Sequence, residues 1–294
     1  MQTLGSPSTA APIVVGGLGG SATRVFARLL QLSGHDIGSD LNRSLDHLGF
    51  TLLFKGRGDL ESQLDWGPAA LRLIERGAWT GGAPSPEERA ALGAALRRVL
   101  VHGHDHEGNG RGAWALRRAW RLLRAKPPTG AGPDSWGLKE PNAHLFLPAL
   151  AAHFPRLRFV FVMRHGLDMA LSRNLYQLHR FGPALGVQPP SPGDDPAGAQ
   201  LRYWVASAER AHALGRELLG DRFLCVRYDE LTARPGEVLE RLADFLGIDA
   251  GRFESPEHAT LTAPSSSSGR WRTRGRAAFP ADLVEAVASW GFEV

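Results

Sequence analysis

A glycine turn close to the start constrains this chain more than any other feature. The stretch reads Ile13-Val14-Val15-Gly16-Gly17-Leu18-Gly19-Gly20-Ser21-Ala22-Thr23-Arg24-Val25-Phe26. The β-branched run Ile13 to Val15 is the pattern of a buried strand. Four glycines within the next five residues let the backbone turn with no Cβ in the way. Ser21 is placed to cap a helix, and Phe26, Leu29, Leu30 and Leu32 then recur at roughly helical spacing. Strand, glycine turn and helix in that order leave unpaired N–H groups and a partial positive charge at a helix N-terminus, where an anion is favoured.

The same stretch argues against two common phosphate motifs. No Lys-Ser or Lys-Thr follows the glycines, so this is not the G-x-x-x-x-G-K-[ST] loop of ATP-binding proteins. Gly17 to Ala22 can be forced onto G-x-G-x-x-G/A, yet no acidic residue closes a second strand about 20 residues on. Asp40 and Asp46 are the nearest candidates and sit in polar, helix-like surroundings.

Composition narrows the class. With 294 residues, 43% of them hydrophobic, the chain can bury a sizeable core. We expect residues 1–11 to be a flexible tail without the basic and apolar regions of a signal peptide, and residues 12–294 to form a single domain. The formal charge of +4 is a mild basic bias, and no aromatic–basic alternation points to nucleic acid. No apolar stretch is long enough to span a membrane. The lone Cys225, in the apolar run Arg222 to Val226, excludes an internal disulfide and reads as a buried structural thiol. A cytoplasmic protein, monomer or homodimer, is the expectation.

Along the chain, Leu45 to Phe54 predicts a buried helix ending near Gly56. Residues 58–133 hold no strand candidate; Leu60 to Gly77, Pro86 to Val101 and Gly112 to Ala125 carry helical apolar spacing, as a helical insert would. His102, His104 and His106 alternate on a glycine loop that offers no scaffold to orient metal ligands, so no metal site is assigned. Arg111, Arg117, Arg118, Arg121 and Arg124 make the next helix basic: either a solvated face or an edge that attracts an anion. Arg158 to Met163 is the clearest strand, apolar throughout as a central parallel strand is. A helix is expected from Gly166 to about Tyr176, a Pro/Gly/Asp loop over Pro183 to Pro196, and a long helix over Ala197 to Leu219. A strand over Phe223 to Arg227, a helix over Pro235 to Leu246 stopped by Gly247, a Ser/Arg-rich loop over Ser265 to Arg276 and a last helix over Pro280 to Trp290 complete the pattern. Strands alternating with helices predict an α/β fold, a three-layer α/β/α arrangement around a central parallel sheet. Its ligand would lie at the carboxyl ends of the strands.

Several segments, which follow one another along the chain in the family's order, resemble the sulfotransferases that use 3′-phosphoadenosine 5′-phosphosulfate (PAPS). Phe159 to Asn174 is similar to the 3′-phosphate motif, in which a strand ends in Arg and a Ser follows about two turns later. Val226-Arg227-Tyr228-Asp229-Glu230-Leu231, with Pro235 and Phe245-Leu246-Gly247, is similar to the family's Tyr-Glu-Asp-Leu…Pro…Phe-Leu-Gly segment. Trp136 to Pro141 resembles Trp-x-x-Lys-x-Pro, Gly16 to Arg24 the phosphosulfate loop, and Gly269-Arg270-Trp271-Arg272 the late Gly-x-Trp-Lys/Arg loop.

The resemblance implies a P-loop-like fold and transfer of a sulfuryl group from PAPS to a hydroxyl or amine of a small-molecule or glycan acceptor, leaving adenosine 3′,5′-bisphosphate and using no metal. It assigns the 5′-phosphosulfate to Gly19, Gly20, Ser21, Ala22, Thr23 and Arg24. Arg164 and Ser172 take the 3′-phosphate, Tyr228 the base, and Arg270, Trp271 and Arg272 the late loop. Lys139 would stabilise the leaving group. Asp46 is favoured as general base, with Asp40 and His47 as further candidates and Glu140 as another carboxylate or the counter-ion of Lys139. Many members carry a Lys or Arg within the phosphosulfate loop where this chain has Gly19 and Gly20, which places more weight on Arg24 and Lys139. An ATP-dependent phosphotransferase and an inactive nucleotide-binding protein are the alternatives.

Overall fold

The computed structural model of the protein describes residues 11–102, 110–124 and 136–294. The tail over 1–10, all of the histidine loop beyond His102 and the Pro127 to Pro133 loop fall outside them.

Four strands form one parallel sheet: β1 (Ile13–Gly17), β2 (Gly137–Lys139), β3 (Arg158–Met163) and β4 (Phe223–Arg227), in the order β2-β1-β3-β4. Val15 sits opposite Lys139 on one side and Val160 on the other, and Met163 lies opposite Arg227. This register carries the glycine turn, Lys139, Arg164 and Tyr228 to the same edge.

The apolar runs work because both sheet faces are covered. Side chains alternate across a strand. Phe159, Phe161 and Met163 therefore join Val14 and Leu138 in one core, with Leu201, Ala208 and Ala211 of the helix Ala197–Leu219 and with Leu71, Leu73 and Ile74 of the helical insert. Val160 and Val162 join Ile13, Val15 and Val226 in the other, with Phe26, Leu29 and Leu30 of the helix Thr23–Leu32 and Val238 and Leu242 of the helix Pro235–Leu246. Sheet between helices is the three-layer arrangement. Two glycines of the turn are also packing requirements. A Cβ on Gly16 would meet the Phe159 ring at 2.6 Å, and one on Gly17 would meet the Val162 carbonyl at 2.3 Å.

The helices Gln63–Glu75, Pro86–His102 and Arg111–Leu123 form the insert. Among the described residues no helix is long and apolar enough to cross a membrane. Cys225 is half-buried on the edge strand, 3.4 Å from Met163 Sδ, with burial pushing its thiol up to about 11. It stays a thiol at neutral pH and is no nucleophile.

Two elements differ from expectation. β2 is not apparent in the sequence, because three residues ending in Lys carry no periodicity. The helix expected from Gly166 to Tyr176 stops at Ala170 and a new one starts at Tyr176, so Ser172 lies between helices and not on the helix face assigned to it.

Burial also sets a pH dependence. His144 is enclosed between the sheet and the long helix, 5.5 Å from the Phe161 ring. Its Nδ1 lies 2.9 Å from the Pro141 carbonyl, which can only accept, so Nδ1 carries the proton and Nε2 accepts from the Ser207 hydroxyl at 2.7 Å. Burial, first of all, pushes this imidazole down to about 3. His47 and His35 move the same way for the same reason. Below the ordinary histidine value the unfolded chain takes up a proton that the folded chain refuses, so stability falls as pH drops from about 6.5 toward 3. His144 alone should remove about 1.4 kcal/mol per pH unit in that window. Urea unfolding at pH 7.5 and 5.5 should show the loss, and His144→Asn should reduce it; an unaltered pH dependence in that variant would place the titration elsewhere.

Candidate active site

The glycine turn departs from a standard helix start. The N-cap is Ala22, not Ser21, and it adopts a left-handed backbone with φ of 66°. Gly20 has φ of 98°. The cap expected at Ser21 is therefore not made. Its side chain is fully buried, and Oγ has no hydrogen-bond partner among the described residues. Thr23 is buried and Arg24 exposed. The loop is tethered at Gly19, whose N–H donates to Gln177 Oε1 at 2.9 Å. Gln177 in turn donates to Asn142 Oδ1, and Asn142 donates to Glu140 through its backbone at 2.7 Å and its side chain at 3.2 Å. A continuous hydrogen-bond path thus links the glycine turn to the neighbour of Lys139.

Arg164 leaves the end of β3 and points at this turn. Nη1 donates to the Gly20 carbonyl at 3.3 Å. Nη2 meets the hydroxyls of Ser265, Ser267 and Ser268 at 2.8, 3.0 and 3.3 Å. Nε is buried with no partner among the described residues, and the guanidinium carbon lies 5.7 Å from the centre of the Tyr228 ring. The Tyr228 hydroxyl donates to the Ala263 carbonyl at 2.9 Å, so the ring face and not the hydroxyl is presented.

An ion pair of Arg164 with Asp168 is not formed. Asp168 instead accepts from the N–H groups of Gly269 at 2.7 Å and Trp271 at 3.0 Å, while Arg270 Nε donates to its carbonyl at 3.0 Å. It pins the late loop over the strand end. Trp271 stacks on His165 at 5.2 Å, and Arg272 extends over the Trp271 ring at 5.0 Å. Ser172 lies beside Gly19 and Gln177 in a small crevice, and its Oγ accepts from the Asn174 N–H at 3.2 Å.

Lys139, at the end of β2, is 2% exposed. Its Nζ donates to the Ser44 carbonyl at 3.0 Å and ion-pairs with Asp46. Burial lowers its pKa, opposed by Asp46; Arg24 adds to the lowering and so lies within electrostatic reach. The loop before Asp46 explains how both partners converge. Asn42 Oδ1 accepts from the N–H groups of Ser44 at 2.8 Å and Asp46 at 2.9 Å, and Leu45 is held left-handed at φ of 62°. Glu140 is fully buried, capping the turn Pro141–Phe146, and burial raises its pKa.

Asp40 and His47 face another way. Asp40 ion-pairs with Arg118 at 3.2 Å and with Arg121. His47 Nδ1 accepts from the Phe50 N–H at 3.1 Å, which leaves the proton on Nε2. Both line a cavity of about 620 Å³ with Trp120, Trp136 and Gly137, at the start of β2, whereas Lys139 is at its end.

Sequence reasoning missed Gln177, Asn142, the anchoring part of Asp168 and the serines 265, 267 and 268. Only the serine run before Gly269 carried a signal.

A family model described as "Sulfotransferase family" matches residues 12–252. The chain belongs to the sulfotransferase family. Among solved structures it is similar to the sulfotransferase domain from the Synechococcus PCC 7002 olefin synthase and the one from the curacin biosynthetic pathway. Each is 16% identical with a TM-score of 0.49, over 98% of this chain and 98% and 100% of those chains respectively. Sulfotransferase STF9 from Mycobacterium avium is 16% identical with a TM-score of 0.44, over 98% of this chain and 78% of that one. No curated protein matches the chain.

Proposed function

We propose that the protein moves a sulfuryl group from PAPS to a hydroxyl or amine of a small-molecule or glycan acceptor. The observation that carries this reading is the position of Arg164: a guanidinium at a strand end, turned onto the Gly20 carbonyl beside an aromatic face, with an unpartnered Nε.

The donor set fits a nucleotide with phosphate at both ends. Buried polar groups are ordinarily hydrogen-bonded, so the orphaned Ser21 Oγ and Arg164 Nε support an anion on each side of the turn. The N–H groups of Gly20 to Arg24, other than that of Ser21, which the Leu18 carbonyl takes, would hold the 5′ end with the side chains of Thr23 and Arg24. Arg164, with Ser172 and the serines 265, 267 and 268, would hold the 3′-phosphate. Tyr228, Trp271, Arg270 and Arg272 would close over the nucleoside. When bound, PAPS supplies the activated sulfuryl group. Lys139 would supply a cation to the charge that grows on the leaving phosphate. Asp46, already on Lys139 Nζ, would take the acceptor proton. Asp40 is committed to two arginines and His47 Nε2 to its proton, which favours Asp46 among the three.

Calorimetry with adenosine 3′,5′-bisphosphate and with ATP·Mg²⁺ tests the donor. The bisphosphate should bind tightly and ATP·Mg²⁺ weakly. Tight ATP binding with none of the bisphosphate would sink the proposal, and bisphosphate binding without turnover across acceptors offered with labelled PAPS would leave an inactive binding protein.

A further inference from the structure

A second concentration of positive charge lies one helical turn from the glycine loop. The helix Tyr176–Phe181 presents Gln177 to Gly19. Three residues on, Arg180 donates to the Gly56 carbonyl. Arg57, the next residue after Gly56, is nine-tenths buried. Its guanidinium lies 3.7 Å from the centre of the Trp66 ring, which occupies its face and leaves its edge. Nη1 is 3.4 Å from Asp59, a half-exposed carboxylate, and Nε has no partner among the described residues. Arg98 reaches the same corner from the helix Pro86–His102: its Nε lies 4.0 Å from where a Cβ on Gly56 would be. Both Nε and Nη2 of Arg98 are buried and without a partner among the described residues.

These cations act on one another. Burial and then Arg98 push Arg57 down to about 10, with Asp59 opposing. Burial also lowers Arg98, with Arg180 and Arg97 adding to the effect and Asp59 opposing. Lys55 lies 5.6 Å from the Tyr176 ring centre and within electrostatic reach of Glu140, the neighbour of Lys139. Buried guanidinium edges without acceptors are costly in a protein core. Forks converging on one point are what bidentate recognition of an oxyanion requires. Nothing in the nucleotide reading uses them.

We infer that Arg57, Arg98 and Arg180 form an oxyanion subsite holding a carboxylate, sulfate or phosphate group of the acceptor, so that the acceptor is an anion. The acceptor as occupant rests on the sulfuryl-transfer reading; the anion site rests on its own geometry. Its position supports the link, because Lys55 and Gln177 bring the subsite to Glu140 and Gly19 respectively.

The test titrates inorganic sulfate into protein saturated with adenosine 3′,5′-bisphosphate. One sulfate should bind saturably per chain. Arg98→Gln and Arg180→Gln should each weaken it at least tenfold while bisphosphate affinity stays unchanged. Sulfate should raise the Tm of the native chain but not that of the variants, a readout that also confirms each variant is folded. A second arm offers hydroxylated acceptors with labelled PAPS in pairs that differ by one carboxylate. The acidic member should be favoured, and Arg98→Gln should erase the preference. No saturable sulfate, sulfate binding in both variants equal to that of the native chain, or turnover of uncharged members alone would overturn the inference. If the bisphosphate fails to bind but sulfate titrates into the nucleotide-free protein and is weakened by Arg98→Gln and Arg180→Gln, the donor reading fails and the oxyanion subsite stands; sulfate binding that ignores both substitutions would overturn the subsite as well.

Discussion

Arg164→Ala should weaken adenosine 3′,5′-bisphosphate binding by about 2–3 kcal/mol, the range for losing a hydrogen bond to a charged group, or roughly 30- to 150-fold in Kd. The guanidinium is held before any ligand arrives: Gly20 takes Nη1, the serine loop takes Nη2, and Tyr228 lies under its face. Little entropy is left to lose on binding, so more of the gross interaction survives as affinity. The substitution also releases the serine loop, and two controls separate that effect. Arg164→Lys keeps the charge and loses the fork, so it should fall between the native chain and Arg164→Ala. Ser267→Ala removes one loop contact and should cost far less. Bisphosphate affinity within twofold of the native value in Arg164→Ala would remove Arg164 from the 3′-phosphate site.

The strand end that bears Arg164 was legible because β3 is a continuous apolar run, and a buried parallel strand has to stop where the sequence turns polar. The same reasoning found β1, β4 and the helices Ala197–Leu219 and Pro235–Leu246. It could not find β2, whose three residues form a strand only because Ile13 to Val15 offer a free edge. The glycine turn was legible as a strand–turn–helix unit. Its cap was not, because the left-handed Ala22 follows from how Gly20 and Ser21 are packed, and propensity says nothing of that. Asp168 stands four residues after Arg164 yet does not pair with it. Arg164 lies before the short helix Gly166–Ala170 begins, so helical i+4 geometry does not join the two, and two N–H groups from a loop more than 100 residues away take the carboxylate instead. The serines on Arg164 are just as remote in sequence. The arginine corner is assembled from three segments, one of them inside the helical insert. Contacts of this kind are fixed by tertiary packing, and no local pattern encodes them.

Lys139→Met should reduce turnover about 10²- to 10³-fold, the scale for removing one preorganised donor aimed at developing charge, with little change in bisphosphate affinity. The argument turns on where the lysine sits. Its ammonium is buried at the sheet edge, fixed by the Ser44 carbonyl and Asp46, and within electrostatic reach of Arg24. A cation already desolvated and held in place needs no reorganisation as charge develops. The variant also strands Asp46, and breaking a buried ion pair from one side costs up to about 3–5 kcal/mol; the cost here should fall below that range, because Asp46 keeps 14% of its side chain exposed and its hydrogen bond from Asn42. A loss of activity could therefore reflect a loosened loop. The double variant Lys139→Met with Asp46→Asn removes the stranded charge and should regain most of the lost Tm. Because Asp46 is the proposed base, turnover of the double variant is read against that of Asp46→Asn alone and should lie well below it. Turnover in the double variant equal to that of Asp46→Asn alone would make Lys139 a structural partner of Asp46 and shift the leaving-group charge onto Arg24. A rise in KM with kcat unchanged would make it a residue of uniform binding. The expected pattern, a loss in kcat beyond that of Asp46→Asn alone that survives repair of the fold, would place the lysine at the reacting end of the nucleotide.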